Sequence, residues 1–412
     1  MTHIRGSLSD AVLACDPDII HEILVEKADG FERDLTTRRA FAPLIGENSI
    51  LLAEGANWRW QRRTVAPIFR HEALLSLIPT IAAMAERQVE RWRATPPGAP
   101  IDAAAAMTHT TFDIIVDAML GGSASLDAER YGRALAESFD TIPWHIIYAM
   151  FSLPRWLPYP GWRRAEAARE FLHSDTGRIV AGRRAQPAAR PDLLELLLAA
   201  RDPETGRGMS DSEVANNLLT FIVAGHETTA VALTWTLWLL AKDQAVQQRV
   251  FEEVTAVIGD AAPAAAHVEG LAFVRQVIAE AMRLFPPIPG MSRQPRSATA
   301  LGGATIRKRT LVHIPIYALH RNSRLWDNPH AFDPDRFAPD RVKTRSRYAF
   351  LPFGGGQRAC IGASLATIEA AIILATLVRV FRFAPLVGHR PQPIAKLTLR
   401  PADGMPLLIT PR

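Results

Sequence analysis

The chain has 412 residues, of which 48% are hydrophobic and 22% are charged. This balance is typical of a globular protein and excludes a disordered or collagen-like chain. The formal net charge is +5, but the basic residues form neither a continuous stripe nor a binding motif, so we expect no nucleic-acid partner. Two cysteines cannot make a disulfide framework, and the N-terminus does not resemble a signal peptide. No stretch reaches about 18 uncharged apolar residues. We therefore predict a cytoplasmic protein without a transmembrane anchor.

Apolar residues recur at spacings of three and four over most of the chain, which predicts a mainly α-helical fold. The predicted helices span, in chain order, residues 73–92, 112–120, 193–200, 214–240, 246–258, 271–285 and 364–380. The predicted strands are short and span residues 305–306 and 311–316, with a C-terminal hairpin of 397–400 and 407–410. No repeat or long linker divides the chain, so residues 1–412 are expected to form a single domain.

One predicted helix is unusually long. Ser210 and Glu213 form a capping-box pattern, and the helical pattern continues from there to about Lys242. A helix of this length, over about 40 Å at roughly 1.5 Å per residue, would cross the whole domain.

A glycine-rich loop at 353–362 carries the strongest chemical signal. Its cysteine, Cys360, stands just before an apolar helix that begins at about Gly362. A thiolate there would face unpaired amide groups and the positive end of the helix, and Arg358 would add positive charge. These features are expected to lower the pKa of the thiol and to favour metal binding.

This loop resembles the haem-ligand loop of the cytochrome P450 monooxygenases, whose pattern is F-x-x-G-x-R-x-C-x-G. Phe353, Gly356, Arg358, Cys360 and Gly362 match every defined position. The resemblance implies the cytochrome P450 fold, an α-rich domain with small β-sheets and a long central helix over the cofactor. It also implies haem b, with the cysteine as the iron ligand, the arginine on a propionate and the phenylalanine beside the sulfur.

Two further segments resemble parts of the same cofactor site. Trp58 and Arg62 match the family's W-x-x-x-R and share one helix face, which implies contact with a haem propionate. Arg293 stands where many relatives place another propionate arginine. Because Trp58 lies closer to the start than is usual, we expect the N-terminal region to be shortened.

The segment 224–229 within the long helix resembles the family's oxygen-binding motif. The resemblance implies that Glu227 and Thr228 deliver protons and water to the bound dioxygen. A zinc-protease helix of the H-E-x-x-H type is excluded, because the fifth position is Ala230.

Glu280 and Arg283 match the family's E-x-x-R and share a helix face, so they can form an ion pair. Arg336 matches the third member of this structural group. By the same analogy Ile222, Ala224, Ile288 and Met291 are predicted to line an apolar substrate pocket.

The resemblance implies insertion of one oxygen atom from O₂ into an apolar small organic substrate. The chain lacks the cysteines for an iron–sulfur cluster and a dinucleotide fingerprint, so electrons must come from a separate protein. We predict an acidic ferredoxin or flavodoxin. The basic residues that could receive it are Arg341, Lys343, Arg345 and Arg347, together with Arg59 or Arg63.

Two alternatives stay open. One is a peroxide-driven peroxygenase or an isomerase on the same haem, and the other is a non-catalytic haem-thiolate binding protein. The complete Glu227–Thr228 pair favours the dioxygen route, because peroxide chemistry does not need that proton relay.

Overall fold

The structure is a computed structural model and describes residues 2–5, 10–121, 126–151, 153–154, 156–187 and 192–412. The α-helices are α1 (Pro17–His21), α2 (Leu35–Ile45), α3 (Gly55–Val65), α4 (His71–Leu74), α5 (Ile78–Arg93), α6 (Ala103–Leu120), α7 (Ala128–Asp140), α8 (Ile142–Met150), α9 (Trp162–Ala185), α10 (Leu193–Ala199), α11 (Asp211–Lys242), α12 (Gln244–Val257), α13 (Ala265–Val268), α14 (Ala272–Leu284), α15 (Ile316–Leu319), α16 (Pro339–Lys343) and α17 (Ala363–Val380). A π-helical turn spans Glu22–Glu26, and 3₁₀ turns span Ala28–Gly30, Ala66–Phe69, Leu75–Leu77, Pro334–Phe337, Arg347–Ala349 and Gly356–Arg358.

The β-strands are β1 (Thr2–Arg5), β2 (Asp10–Leu13), β3 (Phe31–Glu32), β4 (Ile101–Asp102), β5 (Met291–Pro295), β6 (Thr299–Leu301), β7 (Ala304–Ile306), β8 (Leu311–Ile314), β9 (Phe381–Pro385), β10 (Pro393–Ala395), β11 (Leu399–Pro401) and β12 (Pro406–Pro411). Five of them form a sheet in the order β1-β2-β8-β5-β3, in which only the β2–β8 pair is parallel. A three-stranded sheet has the order β4-β12-β9, and β6–β7 and β10–β11 are separate antiparallel pairs.

Helix α11 forms the centre of the domain, as its length predicts. Ser210 caps its N-terminus, and Glu213 completes the predicted capping box. Most of its residues are buried on all sides, because α6, α9, α14 and α17 pack around it. Threonines in a buried helix need partners, and Thr234 and Thr236 donate to the carbonyls four residues earlier at 2.7 Å.

The predicted C-terminal hairpin is wrong. Strand β11 pairs with β10, and β12 pairs with β9 and β4, so β11 and β12 are not partners. The Asp102 side chain accepts a hydrogen bond from the Met405 amide at 2.9 Å, and the Met405 carbonyl accepts one from the Ala103 amide. These contacts direct the chain after the turn onto β4 rather than back along β11.

The other predicted elements differ mainly at their ends. The predicted helix 73–92 is divided into α4, a 3₁₀ turn and α5, since Pro79 occupies the first turn of α5. Helix α9 was not predicted, because much of it is polar and its buried residues are sparse. Strands β1 and β2 lie in the N-terminal region, which we expect to be shortened, and both take part in the five-stranded sheet.

Two helices, α11 and α17, are long and apolar enough to cross a membrane by length and composition, although both contain charged residues. A third span would require α3 and α5, with the turns between them, to act as one segment bent by 53°. In α11 and α17, 83% and 67% of the most apolar window is buried inside the protein. Their apolar side chains therefore form much of the domain core.

The predicted structural group around Glu280 is assembled and buried. Arg283 donates to both carboxylate oxygens of Glu280, at 2.6 and 2.7 Å, and neither side chain is exposed. The Arg336 guanidinium lies 3.4 Å from the same carboxylate. Arg283 also donates to three backbone carbonyls, those of His320, Pro329 and Ala331.

This group is connected to the cysteine loop through His320. The His320 Nε2 atom accepts a hydrogen bond from the Leu351 amide at 2.8 Å, and Leu351 begins the segment that leads into the loop. Burial lowers the pKa of His320 to about 3, so the ring is neutral and Nε2 is free to accept. Glu280 and Arg283 thus support the backbone that positions Cys360.

Removing one member of this ion pair should be much more damaging than removing a surface pair. We expect Arg283→Met to lower the free energy of unfolding by about 3–5 kcal/mol, because Glu280 would stay buried without its counter-charge. The matched control is Arg133→Met in α7, whose partner Glu129 is exposed, and it should change stability by less than about 1 kcal/mol. Chemical denaturation of each variant measures both effects, and equal small losses would contradict the prediction.

Candidate functional site

The loop before α17 is closed by its own backbone. The Cys360 amide donates to the Phe353 carbonyl at 2.9 Å, and Gly362 caps the N-terminus of α17. Gly356 has a φ of +68°, and a Cβ atom there would lie 2.0 Å from the carbonyl oxygen of Leu24. Only glycine allows both the left-handed backbone and this close approach. The loop geometry therefore explains the glycine at this position of the motif.

The Cys360 side chain is accessible, but protein surrounds its sulfur on most sides. Burial raises the pKa of the thiol, and the Gly362 amide and the Arg62 charge oppose this without cancelling it. The expectation that the protein alone lowers this pKa is therefore wrong. The predicted source of charge is also corrected, because the nearby cation is Arg62 rather than Arg358. A bound metal ion would deprotonate the thiol directly.

Arg358 instead joins the loop to α3. Its guanidinium donates to Glu54 at 2.7 Å and to the Ala53 carbonyl at 3.0 Å, and it lies 4.4 Å above the centre of the Trp58 ring. Burial lowers the pKa of Arg358 to about 10. The structure thus brings Trp58 and Arg358, predicted from separate motifs, into direct contact.

Arg33, which no motif identified, lies with Arg358 and Arg293. Burial, aided by repulsion from Arg293 and Arg358, lowers the pKa of Arg33 to about 9. Arg293 is only 6% exposed, and burial lowers its pKa as well. Arg33 Nε is buried without a hydrogen-bond partner in the described part of the chain. Glu54 acts on all three cations and Asp34 acts on Arg33 and Arg293, so three positive charges face two acids.

One face of α11 is accessible, although the helix is otherwise buried. Ala224 is exposed and Thr228, one turn later, is half-buried. Thr228 donates its hydroxyl hydrogen to the Ala224 carbonyl at 2.7 Å, so its oxygen lone pairs are available as acceptors. Ile222 is only 1% exposed and lies in the core. Residues two apart point to different helix faces, which corrects the prediction that Ile222 and Ala224 line the same pocket.

Glu227 is turned away from this face and into the protein. Its Oε1 atom accepts from Thr398 at 2.8 Å, and Arg400 lies 3.8 Å from the same oxygen. Its Oε2 atom is buried without a partner among the described residues. Burial raises the pKa of this carboxyl, and Thr398 and Arg400 partly oppose the effect. Sequence reasoning missed both partners, since they lie far along the chain.

The remaining predicted pocket residues, Ile288 and Met291, lie near the start of β5. Both side chains are half-buried: Met291 begins β5, and Ile288 lies just before it. A Cβ atom on Gly354 would lie 3.1 Å from the Met291 Cε atom, so this methionine packs against the loop. Phe353 is half-buried against the main core.

Adding one methyl group at Gly356 tests the loop geometry. We expect Gly356→Ala to bind much less of the haem that the loop motif implies, because the new Cβ would clash with the Leu24 carbonyl and displace the loop. The control is Gly388→Ala, which has a φ of +83° but open space around its Cβ position, and it should keep its haem. The haem-to-protein absorbance ratio of each purified variant gives the answer. Full haem content in Gly356→Ala would refute the argument.

Comparison with known proteins agrees with this arrangement. The family model "Cytochrome P450" matches residues 2–408. Cyclooctat-9-en-7-ol 5-monooxygenase of Streptomyces melanosporofaciens is 32% identical over 94% of this chain and 83% of its own length. Cyclooctatin synthase of the same organism is 33% identical over 98% and 88%. The crystal structure of the cytochrome P450DA heme domain has a TM-score of 0.89 and 27% identity, and the match covers 100% of this chain and 90% of that one. The chain therefore belongs to the cytochrome P450 family, and it is a monooxygenase whose cofactor is haem b with a thiolate ligand.

Proposed function

We propose that Cys360 supplies the thiolate and that the enzyme inserts one oxygen atom from O₂ into an apolar organic substrate. The observation that carries this proposal is the exposed Cys360 residue just before α17, whose thiol is acted on by the Gly362 amide and the Arg62 charge. The other cysteine, Cys15, lies beside β2, outside this loop. When bound, the haem supplies the redox chemistry that splits dioxygen, which thiolate ligation favours.

The buried arginines beside the loop have the positive charge and the hydrogen-bond donors needed to bind the haem propionates. Arg33, Arg293 and Arg358 lie together in a buried setting, where only the two acids Glu54 and Asp34 act against their positive charge among the described residues. An anionic group between them would relieve the repulsion and satisfy buried donors such as Arg33 Nε. We assign the propionates to this cluster, with Trp58 beside it and Arg62 on the thiolate side.

Thr228 and Glu227 are suited to move protons to the reacting oxygen. Thr228 stands on the accessible face of α11 and can accept a hydrogen bond there. The buried Glu227 carboxyl has a raised pKa, so its protonated form is more readily populated than that of a surface glutamate. This arrangement supports the dioxygen route over peroxide-driven chemistry.

The substrate should be largely apolar with few polar groups. Met291 and Ile288 are apolar, and Ala224 leaves room on α11 for a ligand. The relative named cyclooctat-9-en-7-ol 5-monooxygenase acts on an unsaturated alcohol, by its name. We infer that a compound of comparable polarity is accepted here.

Electrons come from a separate redox partner, for which we propose an acidic ferredoxin or flavodoxin. Most of the basic residues considered for docking have internal partners: Arg341 pairs with Asp333, Arg345 lies over the Trp326 ring, Arg59 pairs with Asp29 and Arg63 pairs with Asp202. Lys343 and Arg347 are exposed, in the segment that leads to the cysteine loop. They are the better candidates for contact with an acidic surface.

The ferric absorption spectrum of wild-type protein and Cys360→Ser tests the central proposal. We expect a thiolate-type haem spectrum in the wild type and the loss of that spectrum in Cys360→Ser. Cys15→Ser is the matched control and should have the wild-type spectrum. An unchanged spectrum in Cys360→Ser would assign the ligand elsewhere.

Replacing the hydroxyl of Thr228 should separate electron consumption from product formation. We expect Thr228→Ala to release more hydrogen peroxide and less product per electron pair, because proton delivery becomes less controlled. Thr228→Ser keeps the hydroxyl and should remain close to wild type. Peroxide and product are quantified against reductant consumed, and identical ratios in all three proteins would exclude a role for this hydroxyl.

Charge reversal tests the docking residues. The double variant Lys343→Glu, Arg347→Glu should be reduced about tenfold more slowly by an acidic ferredoxin at low salt, with a weaker dependence on ionic strength. Arg164→Glu, an exposed residue of α9, is the control. The reduction rates are measured by stopped flow over a series of salt concentrations. Equal rates for the double variant and the wild type would place docking on another surface.

A further inference from the structure

A short series of charged side chains connects the buried Glu227 carboxyl to the protein surface. Arg400 of β11 lies 3.8 Å from the Glu227 Oε1 atom, and Asp140, the last residue of α7, lies 3.7 Å from the same guanidinium. Lys396 donates to Asp140 at 3.1 Å. The exposed fraction of the side chain falls from 63% in Asp140 to 33% in Arg400 and 8% in Glu227. The series therefore leads from solvent to the acid.

The strand that carries Arg400 is fixed to α11. The buried Trp235 ring donates its N–H to the Leu399 carbonyl at 2.7 Å. Thr398, the preceding residue, is fully buried and donates to Glu227 at 2.8 Å. These two hydrogen bonds hold the backbone beside Arg400 against the helix, so the position of its side chain near Glu227 does not depend on the ion pairs alone.

The end of α7 is fixed to α11 in the same region. The Phe139 and His226 rings stack with their centres 6.0 Å apart and their planes 15° apart. Burial lowers the pKa of His226, so this ring is neutral at pH 7 and adds no charge. Because the two rings are the sequence neighbours of Asp140 and Glu227, packing fixes the separation of these two acids.

Arg400 keeps free donors in this arrangement. Both of its contacts are longer than a hydrogen bond, and a guanidinium has five N–H donors. Its partly exposed side chain can therefore bind water as well as act on Glu227. The second carboxylate oxygen of Glu227, Oε2, is buried without a partner in the part of the chain that the structure describes. One oxygen is thus held by Thr398, and the other is available to carry a proton.

The charges around Glu227 act on it in opposite directions. Burial raises the pKa of the carboxyl, the Thr398 hydrogen bond and the charges of Arg400 and Lys396 lower it, and the charge of Asp140 raises it. Removing the charge of Arg400 should therefore make the carboxyl keep its proton more readily. Removing the charge of Asp140 should have the opposite effect.

We propose that Arg400 and Asp140 form a positioning pair that controls, with opposite effects, how readily Glu227 gives up and regains the proton that it delivers. The inference rests on the proposed function, because it takes Glu227 as the residue that supplies protons to the reacting oxygen. It assigns a part in the reaction to the end of α7 and to β11, neither of which belongs to a recognised motif of the sequence.

The pH profile of O₂ consumption tests the proposal without a substrate. A ferredoxin and its reductase supply electrons to the haem-loaded enzyme at saturation. Oxygen then takes up two electrons and two protons to give peroxide, or four of each to give two waters, so the rate should fall at high pH as Glu227 loses its proton. We expect this fall to move to higher pH in Arg400→Gln, by roughly tenfold in proton concentration, and to lower pH in Asp140→Asn.

Three control variants separate charge from structure. Arg400→Lys keeps the positive charge and should keep the wild-type profile. Arg390→Gln, between β9 and β10, and Glu129→Gln in α7 each remove an exposed charge and should not move the profile. A purely structural role of the pair would lower the maximal rate of Arg400→Gln and Asp140→Asn but leave the pH of the fall unchanged, which would overturn the proposal. If Arg400→Gln fails to fold, Asp140→Asn, whose side chain is exposed, decides alone.

Glu227→Gln distinguishes this proposal from the proposed function. It should consume O₂ more slowly and should lose the fall at high pH. If it does so while Arg400→Gln and Asp140→Asn shift the profile in the same direction or not at all, the positioning pair is refuted and the proposed function stands. A wild-type protein that has no thiolate-type spectrum and consumes no O₂ would instead refute the proposed function.

Discussion

The buried ion pair of Glu280 and Arg283 is the interaction on which the rest of the site depends. A pair with no access to water is stable only if its remaining donors and acceptors are satisfied. Arg283 meets this condition by binding three backbone carbonyls, and one of them belongs to His320. Because His320 in turn accepts from Leu351, the requirement to satisfy a buried charge also fixes the start of the cysteine loop.

A second constraint is the surplus of positive charge beside that loop. Arg33, Arg293 and Arg358 come from different parts of the chain, and burial lowers the pKa of each. Such an arrangement is costly for the isolated protein and becomes favourable when an anion is present. Under the proposed placement of the haem propionates, the cofactor would supply that anion, and its binding should contribute to folding stability.

The central helix presents two different environments within one turn. Its Ala224–Thr228 face is accessible, whereas Glu227, the adjacent residue, is held within the protein by Thr398. A carboxyl buried in this way keeps its proton more readily than one in water. The C-terminal segment therefore matters for the site, because it brings the partner of Glu227 to the helix.

The sequence by itself determined the long helix, the cysteine loop and the residue types of the buried ion pair. These features depend on local pattern, such as the Ser210 capping box, or on a motif with several fixed positions. Only the tertiary structure decided the pairing of β12 with β4 and β9, the place of Arg33 and the partners of Glu227. Strand pairing and ion-pair formation join residues far apart in the chain, so local periodicity carries no information about them. The same reason explains the pKa of Cys360, because desolvation depends on everything that surrounds the thiol and not on its neighbours in sequence.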